Sequence, residues 1–266
     1  MLIAIDVGNT NTVIGLYDDT DPDLAHTADE GLLDHWRIST DHDRTPDELA
    51  VLIGTFLNFR GTNIREDVQG VAISSGVPRS TATLRAMTTR FIGVEPIVIG
   101  PGVKSGVAIA VDNPREVGAD RIANSVGAWH LFGGPTIVVD FGTATTCDVI
   151  SEKGEYIGGV IAPGVNISLD ALFSRTAALR AVELVEPRSV IGRTTVECIQ
   201  SGAIYGFAGM VDGLVRRIQD ELGECKVIAT GGLSSLIAPY STTIEQIEPW
   251  VTLHGLRLVH AKNVNR

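Results

Sequence analysis

One short pattern occurs twice in this chain, once in each half, and it restricts the folds open to it. Residues 3–12 read IAIDVGNTNT and residues 137–146 read IVVDFGTATT. Each is a β-branched apolar run, then Asp-x-Gly, then small polar residues ending in Thr: Asp6, Gly8 and Thr12 in the first, Asp140, Gly142 and Thr146 in the second. A second apolar run follows each time, VIGLY at 13–17 and CDVI at 147–150, so both copies predict strand, tight turn, strand. An Asp at a strand end can hold a hydrated cation. The Gly lets the backbone approach a phosphate, and the turn's N–H and hydroxyl groups can cradle its oxygens. A single Asp-x-Gly hairpin is more often an ordinary turn. Two in corresponding places, the first rich in Asn and Thr and the second in Thr, point to nucleotide binding in a cleft between duplicated lobes. A third glycine turn, ATGGLSS at 229–235, follows the apolar KVIA and opens a predicted helix, where a nucleotide can lie near backbone amides.

The 266 residues suffice for two lobes with separate cores. No apolar run approaches the roughly 18–20 residues needed to span a bilayer, so no membrane association is expected. The chain enters a predicted strand almost at Met1, which reads as leaving no room for a signal peptide. Cys147, Cys198 and Cys225 are odd in number and lack metal-ligand spacing, as reduced thiols of a cytoplasmic protein would be. A formal charge of −11 argues against nucleic acid as a partner. It also sets an anionic nucleotide against the global field. Local devices must then attract it: Mg²⁺, a monovalent cation, helix N-termini and a few Arg or Lys residues. Solubility accounts for the acidic balance equally well.

Strands are predicted near 2–7 and 12–18, then an acidic insertion, DDTDPDLAHTADEG, then a third strand in LLDHWRIST. TPDEL at 45–49 is a helix start, with Thr45 as N-cap, Pro46 in the first turn and Glu48 at the third position. That helix runs to about Asn58. A strand in 69–77, a helix to about Phe91 and a short strand at 95–100 complete the first lobe, and 101–115 reads as a connection. The plan then repeats in part: a helix over 116–131, strands at 136–141, 144–150 and 156–162, and a helix after Pro163-Gly164. A long helix from about Thr195 to Leu222, a strand at 226–229 and a closing helix in LHGLRLVHA end the chain. The expected fold is α/β: two duplicated ribonuclease-H-like lobes, residues 1–115 and 116–266, with mixed sheets flanked by helices and a cleft between them. It resembles the arrangement of the acetate and sugar kinase, heat-shock ATPase and actin superfamily.

Between the lobes lies NPREVGADRIANSVGAW at 113–129. Asp120 and Arg121 open a helix otherwise built of small apolar residues. On the segment alone, Asp120 reads as an acid favoured by the helix dipole and Arg121 as a solvated cation. Beside two phosphate hairpins, Asp120 is also suited to be a general base, taking the proton of a substrate hydroxyl as its oxygen attacks the γ-phosphorus of ATP.

Together, DVGNTNT at 6–12, EVGADRIAN at 116–124, VVDFGTATT at 138–146, GGVIAPGV at 158–165 and TGG at 230–232 resemble the type III pantothenate kinases over nearly the whole chain. The resemblance implies ATP-dependent phosphorylation of pantothenate, the first committed step towards coenzyme A. It implies a homodimer that uses Mg²⁺ and a monovalent cation, K⁺ or NH₄⁺. The implied ATP loop is Asp6, Val7, Gly8, Asn9, Thr10, Asn11, Thr12 and Val13, with a further ATP contact at Thr143. The implied pantothenate segment is Gly118, Ala119, Asp120 and Arg121, with Asp120 as proton acceptor. Asp140 is the implied monovalent-cation ligand, and Thr195 the implied substrate contact near the dimer interface. Many members carry a Tyr just before Asp-Asn-Pro, where this chain has Val111, which alters one wall of the substrate pocket.

Read for themselves, Asp6 suits Mg²⁺ held through water, and Asp140 suits a cation that offsets triphosphate charge. Arg121 fits a carboxylate substrate as a two-pronged donor, and equally an ion pair with Glu116. GGVIAPG fits a close-packed turn near the substrate and plain turn geometry alike. His26, His35, His42, His130, His254 and His260 show no metal spacing, and Trp36, Trp129 and Trp250 read as packing residues. Two other functions stay open. One is a kinase of another small hydroxylated acid or a sugar, admitted by Val111. The other is a non-enzymatic nucleotide-responsive regulator, against which the intact Asp6, Asp120 and Asp140 argue.

Overall fold

The computed structural model describes residues 1–176 and 179–264, and in it the first repeat is a hairpin of β1 (Leu2–Val7) and β2 (Asn11–Tyr17). β2 pairs antiparallel with β3 (Leu32–Ser39), while β1 pairs in parallel on its other side with β4 (Gly70–Ser75) and β4 with the short β5 (Ile97–Val98). The order is β3-β2-β1-β4-β5. Helix α1 (Pro46–Phe59) starts at a reciprocal capping box: Thr45 accepts the Glu48 N–H and Glu48 accepts the Thr45 N–H. With α2 (Pro78–Met87) it covers one sheet face, where Leu49, Ile53, Leu57, Leu84 and Met87 pack on Ile3, Ile5, Val7, Val71 and Ile73. The helix expected to reach Phe91 widens into a π-helical turn over Thr88–Ile92. The opposite face of the sheet, lined by Leu2, Ala4 and Ala72, receives Ala123 and Val126 of α3 (Ala119–Phe132). The expected connection at 101–115 contains a two-residue strand, β6 (Ala108–Ile109).

The second repeat builds the same object. β7 (Thr136–Phe141) and β8 (Ala144–Ile150) form the hairpin, and β9 (Glu155–Pro163) is antiparallel to β8. On the other side β10 (Lys226–Thr230) is parallel to β7, and β11 (Gln246–Ile247) to β10. Five strands of this six-stranded sheet, in the order β9-β8-β7-β10-β11, thus match the first sheet strand for strand. The likeness extends to detail: β1 and β7 are buried except at Asp6 and Asp140. A register irregularity falls between Leu16 and Tyr17, opposite Ile3 and Leu2, and again between Val149 and Ile150, opposite Ile137 and Thr136. Helices α4 (Val165–Arg175) and α5 (Thr195–Leu222) bury Val165, Leu169, Ile199, Ala203, Val211 and Val215 on Ile137, Val139, Phe141, Val227 and Ala229. A short helix, α6 (Ser234–Ile237), follows the third glycine turn.

The chain ends in α7 (Val251–Val264), which belongs to the first sheet. The compact units therefore divide at 131 and 249 rather than at the expected 115: residues 1–131 with the stretch from Trp250 form one, and Phe132–Pro249 the other. Small residues explain this. A Cβ on Gly127 of α3 would fall 2.3 Å from the Val251 carbonyl oxygen, and one on Gly255 of α7 would fall 1.9 Å from that of Ala123. The two helices touch backbone to backbone, and Leu253, Leu256 and Val259 then close over Leu2, Ala4 and Ala72. Arg257, 2% exposed, fastens the acidic insertion by donating to the Glu30 carbonyl at 2.7 Å and the Thr20 carbonyl at 2.6 Å. Among the described residues no helix is long and apolar enough to cross a membrane.

Candidate active site

Side chains alternate along β1. Ile5 and Val7 join the core beneath α1 and α2, so Asp6 projects from the other face with Leu2 and Ala4. Ala119 and Ile122 of α3 pack into the cluster on that face, which brings the first turn of α3 to the side of the sheet bearing Asp6.

Gly8, Asn9 and Thr10 make the first turn. The Gly8 N–H donates to the Asn11 carbonyl at 3.0 Å, and a Cβ on Gly8 would crowd that oxygen at 3.1 Å. Asn9, Thr10 and Asn11 are exposed, Val13 is half-buried opposite Asp6, and Thr12 is buried. Thr40, which sequence reasoning passed over, ties the turn down. Its hydroxyl donates to the Gly8 carbonyl at 2.7 Å and so accepts from Thr12 at 2.9 Å, while its N–H donates to the Thr10 carbonyl at 2.9 Å.

The second turn is shorter, only Gly142 and Thr143, both exposed. Its Gly142 N–H donates to the Ala144 carbonyl at 3.0 Å. The missing residue changes the expected correspondence. Phe141 pairs with Thr145 as Val7 pairs with Thr12, so Thr145, not Thr146, is the counterpart of Thr12; Thr146 stands opposite Asp140. Two glycines enclose this turn. A Cβ on Gly164, which follows β9 as Thr40 follows β3, would lie 2.1 Å from the Thr143 carbonyl oxygen. A Cβ on Gly231 would lie 2.3 Å from Asp140 Oδ1, and its φ of +91° favours glycine independently. GGVIAPG and TGG therefore both end in backbone packed on the second hairpin.

Asp120 is exposed in the first turn of α3, and its Oδ1 accepts the Arg121 N–H at 2.9 Å. Gly118 leaves room for it, since a Cβ there would fall 2.4 Å from that oxygen. The positive end of the helix dipole favours a carboxylate at this place. Arg121 is half-buried, and Glu116, its expected alternative partner, accepts from Asn113 Nδ2 at 2.6 Å. In the second unit, Thr195 is the exposed first residue of α5, directly after the N-cap Thr194, whose hydroxyl accepts the Glu197 N–H at 3.2 Å. The site residues thus fall into two sets: Asp6–Val13 and Gly118–Arg121 in the first unit, Asp140, Thr143 and Thr195 in the second.

Among the described residues no three His, Cys, Asp or Glu gather as a metal-binding group. Asp6 and Asp140, each a half-buried hard oxygen donor at a strand end, fit a cation held by one carboxylate together with water and phosphate oxygens, as Mg²⁺ commonly is. His130 and His254 form a pair that sequence spacing did not reveal. His254 Nε2 lies 3.1 Å from His130 Nδ1, and His130 Nε2 lies 3.3 Å from the Asp23 carbonyl. Burial, with His130 and Arg257 nearby, pushes the pKa of His254 down to about 3.

The same five-strand mixed order occurring in both sheets, with an Asp-x-Gly hairpin closing the first strand of each copy, defines the class: the actin-like fold of sugar kinases and related ATPases. Solved structures agree on that fold. The activator of the 2-hydroxyisocaproyl-CoA dehydratase from Clostridium difficile, with bound ADPNP, aligns at TM-score 0.57 and 13% identity over 97% of this chain and 92% of its own. A ROK family glucokinase from Streptomyces griseus, in complex with glucose and AMPPNP, aligns at TM-score 0.50 and 13% identity over 98% and 99%. Sequence comparison is narrower. A family model described as type III pantothenate kinase matches residues 2–217. Proteins named type III pantothenate kinase from Streptomyces griseus and Moorella thermoacetica are 52% and 50% identical, covering 100% and 99% of this chain and all of their own. One from Frankia alni is 53% identical over 99% of this chain and 100% of its own. This chain belongs to the type III pantothenate kinase family.

Proposed function

We propose that this chain transfers the γ-phosphoryl group of ATP to the primary hydroxyl of pantothenate, giving 4′-phosphopantothenate, the first step of coenzyme A synthesis. Family membership supports the acceptor. The observation that carries the chemistry is the exposed Asp120 carboxylate at the start of α3, on the face of the first sheet that bears Asp6.

In this reading Asp120 accepts the hydroxyl proton as that oxygen attacks phosphorus, worth about 10²–10⁴-fold in rate. Residues Asp6 to Val13 hold ATP phosphates through exposed amide and hydroxyl groups, and Thr143 contributes from the second hairpin. Asp6 holds Mg²⁺ through water; the bound ion neutralises charge on the phosphate oxygens. Asp140 holds K⁺ or NH₄⁺, with Gly231 leaving space for its carboxylate. Gly118, Ala119, Asp120 and Arg121 bind pantothenate, Arg121 as donor to its carboxylate, and Thr195 adds a contact. The protein works as a cytoplasmic homodimer. Val190, Ile191 and Val196, exposed to 64%, 81% and 46%, flank Thr195 in sequence and favour association there. Cys147, Cys198 and Cys225 are thiols rather than disulfides, which suits a reducing compartment.

The test is ADP release from ATP and Mg²⁺, with and without pantothenate, in K⁺ against Na⁺. Release requiring both pantothenate and K⁺ is expected. Asp120→Asn should keep the wild-type melting temperature and lose about 10²–10⁴-fold in turnover. Silence with pantothenate, or near-normal turnover of Asp120→Asn, would sink the assignment.

A further inference from the structure

Each hairpin carboxylate faces a hydroxyl-bearing residue across the parallel ladder. Ser74 of β4 is the register partner of Asp6, and Thr230 of β10 is that of Asp140. Adjacent strands lie about 4.8 Å apart, and register partners project from the same face. The cores bear this out. Ile5, Val7 and Ile73 share one cluster, leaving Asp6 and Ser74 on the other face; Val139, Phe141 and Ala229 do the same for Asp140 and Thr230. The preceding register pairs, Ala4 with Ala72, Ile5 with Ile73, Val138 with Ile228 and Val139 with Ala229, are all apolar. After at least two apolar steps, polarity appears in both inner ladders at the same place, opposite the acid.

Ser74 and Thr230 are sealed from solvent, 0% and 2% exposed. Ser74 Oγ has no hydrogen-bond partner among the described residues. A hydroxyl buried in this way destabilises the protein that carries it. The acceptor nearest in the ladder is the neighbouring carboxylate, its register partner.

We propose that Ser74 is a positioning residue for Asp6, and that Thr230 has the same task at Asp140. Each hydroxyl donates to one carboxylate oxygen once the acid turns to hold a hydrated cation, and so aims the other oxygen at that cation's shell. This rests on the phosphoryl-transfer reading above, with Asp6 serving Mg²⁺ and Asp140 serving the monovalent ion. Neither hydroxyl touches substrate.

The experiment compares full-length wild type with Ser74→Ala, Thr230→Val, Thr230→Ser, Asp6→Asn and Asp140→Asn. Turnover is titrated separately with MgCl₂ and with KCl, and melting temperature is read without ligand and with ADP plus MgCl₂. Ser74→Ala should melt at or above the wild-type temperature when empty, and should lose part of the rise given by ADP plus MgCl₂. Its half-saturating Mg²⁺ should increase about tenfold, as loss of a hydrogen bond to a charged group implies, with half-saturating K⁺ unchanged. Thr230→Val should show the reverse cation pattern, and Thr230→Ser should restore it. An empty Ser74→Ala that melts lower, with both titrations unmoved, would overturn the proposal and make the hydroxyl structural. An equal change in both cations in either variant would overturn it too. Should Asp6→Asn and Asp140→Asn leave both cation requirements intact, the phosphoryl-transfer reading itself would fall, an outcome distinct from failure of the hydroxyl variants alone.

Discussion

Two glycines with the same positive φ separate strain from crowding at the second hairpin. Gly231 and Gly93 both have φ of +91°, but a Cβ on Gly231 would meet Asp140 Oδ1 at 2.3 Å and the Phe141 backbone at 2.6 Å, whereas Gly93 has nothing within 4 Å. Gly93→Ala therefore carries only the left-handed penalty, about 1 kcal/mol. Gly231→Ala carries that penalty and an overpacking cost of roughly 1–3 kcal/mol, because two of the three nearest atoms are backbone. For a chain this long, 1 kcal/mol moves the melting temperature by about 2–4 °C. Thermal unfolding should then show Gly93→Ala lower by about 2–4 °C and Gly231→Ala by about 4–16 °C. The methyl presses on Asp140, so half-saturating K⁺ should rise in Gly231→Ala alone. Equal melting shifts in the two variants, or an unmoved K⁺ titration in Gly231→Ala, would refute the reasoning.

Two further predictions concern acid. Asp212 of α5, 7% exposed, accepts from Ser241 Oγ at 2.5 Å, Thr242 Oγ1 at 2.6 Å and Thr243 Oγ1 at 2.9 Å. Burial raises its pKa, but these donors outweigh burial and bring it from 3.8 to about 2. Its contribution is complete above about pH 3.8 and disappears as pH falls towards 2; at 1.36 kcal/mol per unit it is about 2 kcal/mol. Asp212→Asn should melt about 4–8 °C below wild type at pH 7, and calorimetry should find the gap narrowing below about pH 4; a gap constant down to pH 3 contradicts it. His254 is neutral in the fold at pKa about 3 and takes up a proton near 6.5 when unfolded, so its contribution is whole above pH 6.5 and is lost as pH falls from there. Melting temperature against pH should be flatter for His254→Gln than for wild type between pH 6.5 and 4; parallel curves would show that this histidine does not govern acid sensitivity.

Local chemistry was legible in the sequence wherever it acts over a few residues. Thr45 and Glu48 announce their capping box by spacing, and α5 begins and ends at Thr195 and Leu222 as the pattern predicts. The two Asp-x-Gly hairpins are equally local, and so their strands were found. Pairing across the sheet was not legible. Thr146 matches Thr12 by counting along the chain, but a two-residue turn shifts the ladder and hands that role to Thr145. Thr40 and Ser74 carry no signal of their own, and Thr230, though part of the TGG motif, shows its place opposite Asp140 only through the strand beside it. The boundary expected at 115 differs from the observed one for the same reason. Gly127 and Gly255 show their significance only where α3 and α7 meet, more than a hundred residues of chain apart.

That meeting has a consequence for synthesis. The core over Leu2, Ala4 and Ala72 is closed by Leu253, Leu256 and Val259, which are translated after the whole of Phe132–Pro249. The unit translated first is thus finished last, whereas Phe132–Pro249 is contiguous and can close as soon as it emerges. Protease applied to nascent chains should cut within residues 1–131 until α7 is released, while 132–249 already resists. A message truncated before Trp250 would yield one folded unit trailing an open, apolar sheet, a ready substrate for chaperones and degradation.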